Sequence, residues 1–91
     1  MQDCSNKIAR FKVAIGEVFS ELRNANSDIS LNKLALEYDI DKGSLSKIER
    51  GIYDCRLSTA WKLAQANGVS FSDFAKLLEE KLGKDFTFID L

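Results

Sequence analysis

Proline is absent from all 91 residues of this chain, and only 5 residues are glycine. Proline breaks a helix more strongly than any other residue, so its absence lets helices run long and follow one another closely. The apolar residues recur at helical spacing. Ile8, Phe11, Ile15, Val18, Phe19 and Leu22 fall on one stripe about 100° wide, which predicts an amphipathic helix from Ser5 to Ala25 with Ser5 as its N-cap. The polar run Asn24 to Asp28 then predicts a turn, because such side chains compete for backbone hydrogen bonds.

Shorter helices follow. Ser30 caps a second one, with Leu31, Leu34, Ala35 and Tyr38 on one face and Leu36 on the other, ending near Asp39-Ile40. Asp41 caps a third, Lys42 to Arg50, in which Leu45 and Ile48 point inward and Gly43, Ser44, Lys47 and Arg50 outward. Gly51 stops it in the left-handed conformation. A fourth helix is expected from Leu57 to Asn67, with Leu57, Ala60, Trp61 and Ala64 inward, and Gly68 ends it. Ser70 opens a fifth, striped by Phe71, Phe74, Leu77, Leu78 and Leu82 and stopped by Gly83, with Asp73 placed for a partial capping box. The tail, Asp85 to Leu91, alternates in a way that suggests a short extended strand. The expectation is an all-α, five-helix domain over residues 1–83 with a tail at 84–91.

Composition removes most chemistries. The chain has no histidine, the commonest general base, and Cys4 and Cys55 lack metal-ligand spacing. Two free thiols in a reducing compartment are expected, with a Cys4–Cys55 disulfide left open. No nucleophile has a base beside it in sequence, no glycine loop cradles phosphate, and no cofactor motif is present. The chain is therefore expected not to be an enzyme and to need no cofactor or metal. No apolar run suffices to span a bilayer and no basic-then-apolar leader opens the chain, so a cytoplasmic protein without a membrane partner is expected.

Net charge is −1, unusual for a nucleic-acid binder, but it is unevenly spread. Residues 30–62 hold six basic side chains (Lys33, Lys42, Lys47, Arg50, Arg56, Lys62) against five acidic ones, whereas residues 63–91 hold three against five. The middle can present a locally positive face.

The stretch Ser30 to Val69 resembles the Cro/repressor-type (XRE-like) helix-turn-helix family. The resemblance rests on Leu34-Ala35, Ile40, Ser46-x-x-Glu49-x-Gly51, Leu57, Leu63-Ala64 and Gly68-Val69, with Ile15-Gly16-Glu17 and Leu22-Arg23 similar to that family's first helix. It implies a lambda-repressor-like fold and a sequence-specific transcriptional regulator, a repressor in the leading reading, that binds double-stranded DNA as a homodimer. It places base and phosphate contacts at Lys42, Gly43, Ser44 and Lys47, with Arg50, Tyr53 and Arg56 clamping the backbone after the third helix. Asp41 also falls among the family's reading positions, but facing phosphate it would repel, and its expected role is structural, as the cap; the resemblance makes Glu49 the partner of Arg23. The chain departs from the pattern at Leu31, where the family usually has Gln, at Asp39 (Gly), at Cys55 (Pro) and at Asn67 (Leu), and its first turn is one residue longer. A mobile-element repressor, an antitoxin-type autoregulator and a restriction-system controller all fit so short a chain. The fifth helix with the tail, and the extension Met1 to Ala14, are candidates to hold a dimer, the alternative being a tail folded on its own core. A second functional reading is a protein-interaction module that keeps this fold with weak or no DNA binding, suggested by the acidity, Leu31 and Leu36.

Overall fold

A computed structural model describes residues 5–25 and 30–89, and the side chains from Asn6 onward within them. Five helices follow in order: α1 (Ser5–Ala25), α2 (Leu31–Glu37), α3 (Lys42–Glu49), α4 (Leu57–Ala66) and α5 (Phe71–Leu82). The turn expected at Asn24–Asp28, the Ser5 cap and Cys4 lie wholly or partly outside the described residues.

Caps form where short polar side chains precede apolar runs. Ser30 accepts the amide of Lys33, Asp41 that of Ser44, and Ser70 that of Asp73. The far ends of α2, α3 and α4 close alike. The residue after the C-cap turns to positive φ (Asp39 53°, Gly51 76°, Gly68 81°). The next amide reaches back five residues, Ile40 to Ala35, Ile52 to Lys47 and Val69 to Ala64, at 2.9–3.0 Å. Asp39 thus occupies a conformation that glycine holds in the other two.

The long α1 packs on α5 and α3, while α2 packs on α3 and α4 on α5. The shared core is Ile15, Val18, Phe19, Leu34, Leu45, Ile48, Leu63, Ala64 and Phe74, all buried. Phe19 stacks flat on Phe74 with centroids 4.5 Å apart. Each large side chain of this kind contributes about 1.5–3 kcal/mol on burial.

Some expected orientations differ. In α4 the inward residues are Ala60, Leu63, Ala64 and Ala66, whereas Leu57 and Trp61 are 68% and 49% exposed. The small side chains let α4 approach closely, and Leu57 and Trp61 are left at the rim, Trp61 with one face stacked on Phe71 at 4.6 Å. Ile8, Tyr38 and Leu77 also lie at the margins of their stripes, partly in solvent. The short strand suggested by the tail is not formed among the described residues. Lys84 to Ile89 turn back instead, with the Phe86 amide bonded to the Gly83 carbonyl. Phe88 meets Phe11 edge-on at 5.2 Å, Phe86 meets Phe88, and Arg10 lies over the Phe86 ring and donates to the Leu82 carbonyl. Two aromatic rings and a cation hold this segment to α1 without strand pairing.

Candidate nucleic-acid interface

Helix α3 presents one face to the core and the other to solvent. Leu45 and Ile48 are buried, while Lys42, Gly43 and Arg50 are exposed and Ser44 and Lys47 half-buried. Its direction is fixed from α1 by two contacts. The first is a close backbone approach. A Cβ on Gly16 would lie 2.6 Å from the carbonyl oxygens of both Ile48 and Glu49, so α1 passes directly over the last turn of α3. Gly51 continues this contact, since a Cβ there would stand 2.9 Å from the Cα of Val13.

The second contact is ionic. Arg23 Nε donates to both carboxylate oxygens of Glu49 at 2.8 and 3.1 Å, and Nη2 donates to one of them at 2.9 Å. The side chains are 21% and 9% exposed. Hydrogen bonding to Glu49 raises the Arg23 pKa above the ordinary arginine value, against the opposing effect of burial. A half-buried fork of this geometry fixes direction more than it adds stability.

At the other end of α3, Asp41 Oδ2 accepts both the amide (2.9 Å) and the hydroxyl (3.1 Å) of Ser44. Those bonds, and then the charge of Lys47, hold its carboxyl below the usual carboxylate range. The amides of the first turn add partial positive charge. Lys47 donates to the Tyr53 hydroxyl at 3.1 Å, and its ammonium sits 4.9 Å from that ring's centroid. Arg50 folds back on α3, Nε to the Ser46 carbonyl at 3.4 Å. Arg56 is the N-cap residue of α4, makes no side-chain cap bond, and is exposed.

Two shallow grooves flank α3. Lys33, Leu36, Asp39 and Lys42 line the one toward α2, and Asp41, Ser44, Tyr53, Asp54, Arg56 and Lys62 line the one toward α4. The structure therefore brings Lys42, Gly43, Ser44, Lys47, Tyr53 and Arg56 to one side of the molecule, with Arg50 at its edge. Sequence reasoning missed two relationships, the Gly16 contact and the Lys47–Tyr53 pair; the tail lies against α1, as in the alternative of a tail folded on its own core. Only the first left a signal, a glycine inside a strongly periodic helix, where it costs roughly 1 kcal/mol and needs a reason.

Among the described residues there is no cluster of histidine, cysteine and carboxylates able to hold a metal, and no helix long and apolar enough to cross a membrane. Cys55 is a free thiol, half-buried. A sequence model described as Helix-turn-helix matches residues 20–74, more than half of the chain. Comparison with curated proteins and with solved structures gave no match.

Proposed function

The chain belongs to the Cro/repressor-type helix-turn-helix family of DNA-binding regulators, and from that premise we propose that it is a sequence-specific repressor that reads the major groove with α3. The observation that carries this reading is the outward face of α3. Lys42, Ser44 and Lys47 share it with Tyr53 and Arg56, and a backbone contact and an ion pair hold the helix from behind. A helix fits the major groove, its N-terminal residues reach base edges, and lysines at its margins suit guanine acceptors or phosphates. Lys42, Gly43, Ser44 and Lys47 form the reading face, Arg50, Tyr53 and Arg56 contact the backbone, and Asp41, Glu49 and Arg23 shape the helix and its aim.

One such helix reads few base pairs, so the protein acts as a homodimer with its two reading helices about 34 Å apart. Selection from random duplexes at about 0.1 M salt tests the whole reading. A roughly palindromic site that Lys42→Ala/Lys47→Ala no longer enriches supports it. Leu36, 88% exposed on α2, favours a second reading, a protein-interaction module. Wild-type protein that enriches no site decides for that reading.

A further inference from the structure

At the first turn of α3, the polar side-chain atoms facing the groove toward α4 are all acceptors. An ionised carboxylate accepts only, and the Asp41 carboxyl is fully exposed and held ionised by Ser44. A serine hydroxyl carries one proton, and that of Ser44 already goes to Asp41 Oδ2. What these bonds leave for a ligand is acceptor capacity alone, on the Asp41 carboxylate and on Ser44 Oγ. Gly43 leaves this surface uncovered. A Cβ there would stand 3.2 Å from Asp41 Oδ2 and would crowd the carboxylate.

Acceptors repel phosphate, so this pair is unsuited to the DNA backbone. That task falls to Arg50, Tyr53 and Arg56 after α3, as in the reading above. In the major groove guanine and thymine edges offer only acceptors, whereas adenine N6 and cytosine N4 offer donors. We propose that Asp41 and Ser44 form an acceptor-only pair that selects the exocyclic amino group of an adenine or a cytosine. This rests on the reading of α3 as the groove helix. Asp41 then has two tasks, one oxygen capping the helix and the other meeting the base.

The test is a chemical double-mutant cycle on the duplex that the wild-type protein enriches. Each adenine in turn is replaced by purine, and each cytosine by pyrimidin-2-one, which removes only the amino group. The same duplexes are titrated with Asp41→Asn and Ser44→Ala. Asparagine caps a helix as well as aspartate does, and thermal unfolding checks that both variants are folded. At one position per half-site, loss of the amine should weaken wild-type binding about tenfold. It should weaken Asp41→Asn less than about twofold, because the amide then turns an N–H₂ group rather than an oxygen to the base, and Ser44→Ala, which keeps the Asp41 acceptor, by an intermediate factor. Whether that position is adenine or cytosine identifies the base. Amine losses that affect wild type and both variants equally at every position overturn the proposal and leave Asp41 a cap alone. A wild-type protein that enriches no duplex overturns the groove-helix reading, and this proposal with it.

Discussion

Arg23 and Glu49, 26 residues apart in sequence, are joined by three N–H···O contacts of 2.8–3.1 Å that tie the end of α1 to the end of α3. Removing either partner should lower the unfolding free energy by about 1–2 kcal/mol, with a coupling of about 1 kcal/mol in a double-mutant cycle, reduced from a fully buried pair by solvent at Arg23. Urea denaturation of the four proteins measures it, and a coupling near zero would make the pair ornamental. The raised pKa of Arg23 sets the sign of its pH effect. The stabilisation is complete below the ordinary arginine value and is lost only in stronger alkali, so Arg23 adds no pH dependence between about pH 6 and 9.

Gly16→Ala reverses the usual rule for helix interiors. Alanine is favoured over glycine there by roughly 1 kcal/mol, but the new methyl would meet two backbone carbonyls at 2.6 Å. Backbone cannot step aside as a side-chain tip can, so a net loss of about 1–3 kcal/mol is expected. A rise in the midpoint of thermal unfolding would show that α1 and α3 can separate without penalty.

Asp39→Gly should do the opposite. Asp39 has φ 53° at the end of α2, a region that L side chains enter at a cost. Glycine there should raise the melting temperature by about 4 °C, and valine should lower it by more. Calorimetry on the three proteins decides. Loss of a carboxylate from the groove beside Lys42 should also tighten DNA binding.

Cys55 should react slowly. Burial, and then the charge of Asp54, push its thiol up to about 11 from an ordinary 9.0. At neutral pH its thiolate fraction is then about a hundredfold below that of an ordinary thiol. In a Cys4→Ser background, alkylation followed by mass spectrometry should be correspondingly slow and should speed up in urea. Fast labelling under native conditions would contradict the burial.

Tyr53→Phe separates the two contacts that Tyr53 makes with Lys47. It keeps the ring under the ammonium and loses the 3.1 Å hydrogen bond. DNA affinity should fall only a few-fold with an unchanged salt slope, whereas Lys47→Ala should reduce the slope by about one if Lys47 meets a phosphate. Titrations at several salt concentrations give both slopes.

The five helices were legible because their stripes and stops are local. Ser30, Asp41, Ser70 and the glycines at 51, 68 and 83 mark ends within a turn of where they fall. The rotation of α4 was less legible. Leu57 and Trp61 are two of its three large apolar residues, and a stripe drawn through them turns the helix by about one residue from its true setting, which Leu63 and the alanines decide. For the site, the outward residues of α3 follow from periodicity alone. The Lys47–Tyr53 pair does not, because it depends on how the chain bends after Gly51. The tail misled for a similar reason. Alternation suits a strand, but a strand needs a partner edge, and the partner at hand is a helix carrying Phe11 and Arg10.

The crossing at Gly16 brings main chain against main chain, with no side chain interposed. Its distance is therefore set by the two backbones, and not by the side chains at 42, 44 and 47, which lie on the other face of α3. The aim of the helix and the make-up of its outward face are in this way separately heritable. The outward face of α3 can be rewritten by ordinary point substitution, while the mount behind it stays as it is.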